Sequence, residues 1–133
     1  MTIQYKDKAQ TTQTTAYAED TIESARAKAA RMGCFVVFPE PTQLFVDIDT
    51  PAGLRTFVQN LPRLRGASYT VRPSQSGLPG HFHVTVAMSR PVSPIERIAL
   101  QAMLGSDLTR EILSWLRIQR GIEEPTIFFE REK

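Results

Sequence analysis

The chain has one cysteine, no apolar run of membrane-spanning length and no marked excess of charge of either sign. Each shortage narrows the reading. Cys34 cannot form an internal disulfide by itself, and it opens an apolar run. It reads as a small core residue in a protein of a reducing compartment, the cytoplasm of a bacterium or a phage-infected host. A membrane-spanning helix needs about 20 consecutive apolar residues; none is present, so no membrane partner is expected. The N-terminus is polar and rich in Thr and Gln, with no apolar h-region, so no signal peptide is expected. Sixteen Lys and Arg against 14 Asp and Glu leave a net charge of +2. That permits nucleic-acid binding without the basicity of a histone-like protein. Histidine is also scarce, with two in the chain, and both fall in one short strand.

What is present is the pattern of a single domain. An apolar content of 41% over 133 residues is ordinary for a globular chain long enough to bury a core. Residues 1–18 lack periodicity and read as a flexible arm, leaving 19–133 as the domain. Asp20-Thr21-Ile22-Glu23 has the form of a helix start, and Gly33 suits its stop. Residues 34–38 and 43–49 read as strands separated by Pro39-Glu40-Pro41. Pro51 can begin a helix over 52–60, with Leu54, Phe57, Val58 and Leu61 at helical spacing, ended by Pro62. Residues 67–72 form a strand, 73–80 a loop of turn residues and 81–88 an alternating strand. Ser93-Pro94 opens a helix that Gly105-Ser106 interrupts. Asp107 caps a second helix through about Arg120, and 126–130 is a last strand.

From Gln43 onward the order is β-α-β-β-α-β. It predicts an α+β fold of the RNA-recognition or ferredoxin-like kind: an antiparallel sheet with helices on one face, plus an extra N-terminal helix and strand. Its first and third strands lie side by side, antiparallel. The late end of Leu44-Phe45-Val46-Asp47-Ile48-Asp49 therefore meets the early end of His81-Phe82-His83-Val84-Thr85-Val86. Strand side chains alternate faces. Leu44, Val46, Ile48, Phe82, Val84, Val86 and Met88 should face the helices; Phe45, Asp47, Asp49, His81, His83 and Thr85 should face the open side.

Neighbouring carboxylates repel unless a proton or a cation intervenes. Asp47 and Asp49 suit a hard divalent ion such as Mg²⁺, and two such ions could clamp the reacting oxygens in phosphoryl transfer. The competing reading is a solvated pair at a strand end, with Asp49-Thr50-Pro51 capping the next helix. His83 could bind a phosphate, donate a proton or ligate a metal. Asp107 is a third acid candidate as well as an N-cap. Arg72 could reach a phosphate near His83, and the loop after it could offer backbone N–H groups. Arg63, Arg65 and Arg90 read as a basic rim. Phe45 could stack a base, and Trp115 and Leu116 should pack a helix into the core.

LFVDID, then the loop containing Ser76-Gly77, then Gly80-His81-Phe82-His83-Val84, resembles the archaeo-eukaryotic primase superfamily, which includes primase-polymerases of phages and plasmids. The likeness covers about residues 34–130. Asp47 and Asp49 fit its first motif. Ser76-Gly77 and His83 fit its second, with His81 in place of a small residue. Asp107 stands where a third acid is expected, after Gly105-Ser106 instead of hydrophobic residues. The resemblance implies nucleotidyl transfer in DNA replication. Asp47, Asp49 and Asp107 would hold Mg²⁺ or Mn²⁺, and His83 would contact the incoming nucleoside triphosphate. Ser76, His81 and Arg72 would serve substrate binding. The implied partners are a DNA or RNA template and primer, and a replicative helicase or other replication protein.

Two other classes share part of the pattern. His81-Phe82-His83 is also the H-hydrophobic-H of rolling-circle single-stranded DNA nucleases, but Tyr5, Tyr17 and Tyr69 all precede it. His83-Val84-Thr85 resembles a two-histidine phosphoesterase motif whose second copy is missing here. A non-catalytic nucleic-acid-binding module is the third possibility.

Overall fold

The computed structural model describes residues 21–131; the arm at 1–18 lies outside them. Among the described residues the fold is α+β. Helix α1 (Ile22–Arg31) is capped by Thr21, whose Oγ1 accepts from the Ser24 N–H. Strands β1 (Cys34–Val37) and β2 (Gln43–Ile48) follow. Helix α2 (Pro51–Asn60) is capped by Thr50 and runs into a 3₁₀ turn, Leu61–Arg63. Strands β3 (Ser68–Pro73) and β4 (Phe82–Ala87) come next. Helix α3 (Pro94–Met103) begins with a reciprocal Ser93–Glu96 capping box. Helix α4 (Leu108–Gln119) is capped by Asp107, and β5 is Phe128–Arg131. Gly105, at φ +87°, separates α3 from α4. No helix among the described residues is long and apolar enough to cross a membrane.

One antiparallel sheet has the order β2-β4-β3. The expected neighbours β2 and β4 are paired, with Asp47 opposite His83 and Val46 opposite Val84. The alternation divides the sheet as the sequence indicates. Leu44, Val46, Ile48, Val84 and Val86 form the core with Phe57, Val92 and Leu104, and Phe82 and Met88 pack against it. Cys34 is buried. Helix α2 contributes less than its spacing suggests, because Leu54 and Val58 are exposed and Phe57 is its buried residue. Trp115 departs from expectation: it is 43% exposed, while Leu116 beside it is buried.

The last strand does not join this sheet. β5 pairs antiparallel with β1 in a separate ribbon. The reason lies on the outer edge of β2, where side chains occupy the positions a fourth strand would use. The Phe45 N–H donates to Gln101 Oε1 (2.7 Å) and the Asp47 N–H to Ser106 Oγ (3.0 Å). The carbonyls accept in turn: Gln43 from Arg97 Nε, Phe45 from Arg110 Nη1 and Asp47 from the Asp107 N–H. With these backbone groups satisfied, the edge offers no ladder to β5.

β5 instead crosses the sheet face opposite α2 and α3. Phe128 touches Phe45 on β2 and His83 on β4, and Glu130 reaches Arg72 on β3. The side expected to be open is therefore partly roofed. Phe45 is 2% exposed and cannot stack a base; its ring lies against Phe128 instead.

Candidate metal and nucleotide site

Three strands align a row of functional side chains on one face. Asp47 on β2 stands opposite His83 on β4, which stands opposite Arg72 on β3. Asp47 points its backbone away from β4, so it and His83 form a non-hydrogen-bonded pair, the kind that brings side chains closest. Asp49 follows two residues later on the same face. Asp107 arrives at the outer edge of β2, where α4 starts; its N–H binds the Asp47 carbonyl at 2.8 Å. Asp49 is not the cap of α2, since Thr50 Oγ1 takes that role by accepting from the Gly53 N–H. Asp107 does cap α4 through the Thr109 N–H.

As a result, carboxylate oxygens of Asp47, Asp49 and Asp107 lie within 4.8 Å of one another. Oxygen donors of this kind fit a hard divalent cation. The electrostatics agree. The Asp47 carboxyl is pushed up from 3.8 to about 7. Burial is the largest cause, Arg110 opposes it, and Asp49 and Asp107 add to it. Burial thus makes the ionised form of Asp47 costly, and a cation beside it would stabilise that form.

Beside the acids is a pocket of about 300 Å³, lined by Asp47, Asp107, His83, Thr109, Arg110 and Phe128 among others. Gln75 lines it too, and its buried Oε1 has no hydrogen-bond partner among the described residues. His83 is buried in the wall. Its Nδ1 is 3.0 Å from Glu130 Oε1, and its Nε2 is 4.0 Å from Asp47 Oδ1. Burial holds its pKa below the ordinary 6.5, Glu130 opposes this, and Arg110 and Arg72 reinforce it. Phe128 lies parallel to both Phe45 (4.4 Å) and His83 (3.9 Å). Two rings at such separations cannot share one side of Phe128, so it is the middle of a three-ring stack.

The remaining expected residues are further out. His81 Nδ1 is 3.2 Å from Asp49 Oδ1 at the site's solvent rim. Arg72 pairs with Glu130 at 2.8 Å and is half exposed. Ser76 spends its hydroxyl inside the loop, bonded to Ser74 Oγ and accepting from the Leu78 N–H. Tyr69 lies on the opposite sheet face, edge-on to Phe57; Tyr5 and Tyr17 lie outside the described residues.

Sequence reasoning missed Arg110, Glu111, Glu130 and Phe128. Glu111 is buried and accepts from Gln101 Nε2, Ser106 Oγ and Arg110 Nη1. It anchors the side chains that close the β2 edge and so holds Asp47 in place. Its position four residues after an N-cap Asp was the one available signal, and it reads equally as an ordinary helix surface. No protein-family model, curated protein or solved structure matches this chain.

Proposed function

We propose that this chain is a metal-dependent nucleotidyltransferase of the primase-polymerase kind, acting in phage or plasmid DNA replication. The observation that carries this reading is the convergence of Asp47, Asp49 and Asp107 at the mouth of a pocket walled by His83. Asp47, Asp49 and Asp107 would hold Mg²⁺ or Mn²⁺. A divalent cation bound there supplies charge neutralisation for a triphosphate and for its attacking and leaving oxygens. Asp47 and Asp107 orient their carboxylates from backbone positions tied to each other, which fixes the donor set before substrate arrives. Arg72 keeps part of its guanidinium in solvent near the row and can meet a phosphate oxygen. Phe128 and Phe129 add apolar surface to a pocket wall that otherwise carries Asp47, His83, Asp107 and Arg110.

In the reaction, the 3′-hydroxyl oxygen of a primer bonds to the α-phosphorus of a nucleoside triphosphate. The α–β anhydride bond breaks, pyrophosphate leaves, and the hydroxyl proton passes to water. Extension of a labelled primer with Mn²⁺ and nucleotides tests this. Wild type should extend the primer, and the Asp47→Ala/Asp49→Ala variant should not. No extension, or equal extension by both, removes the proposal. Nucleic-acid affinity indifferent to EDTA and to these substitutions would mark a binding module instead. A covalent DNA adduct on Tyr5 or Tyr17 would mark a nuclease.

A further inference from the structure

Glu130 lies one residue before the end of β5 and has no place in any motif of the sequence. The crossing of β5 over the sheet carries it into the site, where its side chain is 14% exposed. One of its oxygens, Oε1, meets both Arg72 Nη2 at 2.8 Å and His83 Nδ1 at 3.0 Å. His83 cannot easily choose another partner, because its ring is stacked within 2° of parallel on Phe128 and its side chain is 4% exposed. A carboxylate only accepts hydrogen bonds, so the nitrogen facing it carries the proton. A neutral imidazole protonated on Nδ1 has its electron pair on Nε2. In this fold Nε2 is the nitrogen that faces Asp47 and the pocket. Carboxylate, imidazole and metal arranged in that order are the usual way an outer partner sets a ligand's tautomer and orientation.

We propose that Glu130 is a positioning residue that fixes His83 as its Nδ1–H tautomer, turning the Nε2 electron pair toward Asp47 so that His83 and Asp47 together can ligate a divalent cation on the His83 side of the acid cluster. This rests on the metal-dependent reading above and sharpens it. His83 acts as a nitrogen ligand, not as a hydrogen-bond donor to phosphate. The role of Arg72 follows as well: by sharing Oε1 it holds Glu130 turned toward β4.

Two measurements test the assignment without relying on turnover. Nitrogen-15 NMR of the imidazoles in the metal-free protein should show His83 protonated at Nδ1 and bare at Nε2. Glu130→Gln keeps a carbonyl acceptor and should retain that tautomer, whereas Glu130→Ala should lose it. An Nε2–H tautomer in wild type, or an unchanged one in Glu130→Ala, overturns the positioning role. Pulsed electron paramagnetic resonance of the Mn²⁺-loaded protein should then show a directly coordinated nitrogen in wild type and Glu130→Gln, absent in His83→Gln. No nitrogen coupling in wild type overturns the ligand role. If both signatures appear and primer extension does not, nucleotidyl transfer falls and this assignment stands. If extension occurs without them, the reverse holds.

Discussion

Gly53 and Gly105 meet backbone to backbone where the first turn of α2 crosses the turn between α3 and α4. A Cβ placed on Gly53 would lie 2.8 Å from the Gly105 carbonyl oxygen, and one on Gly105 would overlap the Gly53 carbonyl. The contact brings together two chain segments that bear acids. Asp49 stands just before the cap of α2, and Asp107 two residues after Gly105. Replacing Gly105 with Ala adds a Cβ at φ +87° and forces the two turns apart. Gly105→Ala should cost about 2 kcal/mol or more and weaken Mn²⁺ binding by moving Asp107 away from Asp49. Urea unfolding and a Mn²⁺ titration of the same variant check both effects. Unchanged stability would show that the turns can separate freely.

Glu111 offers a second test, because it is a buried acid with three donors. Glu111→Leu removes the carboxylate shared by Gln101, Ser106 and Arg110 and leaves the part-buried Arg110 charge without this anion, so it should destabilise the domain by about 3–5 kcal/mol. Glu111→Gln retains some of these bonds and should cost less. Chemical denaturation of both variants decides whether this polar cluster or the apolar core governs the β2 edge.

The Asp47 carboxyl gives stability a pH dependence of definite sign. In the unfolded chain it releases its proton near 3.8, whereas in the fold it holds it to about 7. Between those values the folded state binds more protons, so Asp47 makes stability fall as pH rises through the window, and the loss persists above it. His83 acts oppositely, making stability fall as pH drops through its ordinary 6.5. Asp47→Asn isolates the first effect and should melt higher than wild type at pH 8, with little gain at pH 4. Mn²⁺ at ten times its dissociation constant should add about 1.4 kcal/mol to wild type at pH 8 and less to Asp47→Asn. Thermal melts with and without the ion, at both pH values, measure this.

Phe128 roofs the site and separates two other rings. Phe128→Ala should cost about 3–5 kcal/mol and free the His83 ring. Proton exchange at the His83 imidazole should accelerate, and the three-ring stack should vanish from aromatic NMR contacts.

The part of the architecture that depends on alternation and punctuation was legible in the sequence. Leu44, Val46 and Ile48 against Asp47 and Asp49 defined the two faces of β2. Ser93-Pro94, Gly105 and Asp107 marked where α3 began, where it broke and where α4 started. The meeting of Asp47 with His83 could be anticipated because the topology places β2 beside β4; Asp107 was a candidate acid, but nothing in the pattern placed its backbone against the β2 edge. The fate of β5 could not be anticipated in this way. Periodicity says which face of a strand is apolar, not which edge is already hydrogen-bonded. Arg97, Gln101 and Arg110 sit in helices whose polar residues ordinarily face water, yet they bind β2 carbonyls and amides. The same limit hid Glu130, which became a site residue only when β5 crossed the sheet. Trp115 was misplaced for a related reason: its neighbours Leu113 and Leu116 took the buried positions of α4.

Sealing the margin of β2 with side chains makes growth of this sheet one-sided. An incoming extended segment finds its free main-chain groups on β3, whose residues are exposed along its whole length. Recruitment of another chain by strand addition would therefore begin at β3, the border away from the β2 edge that Asp107 closes.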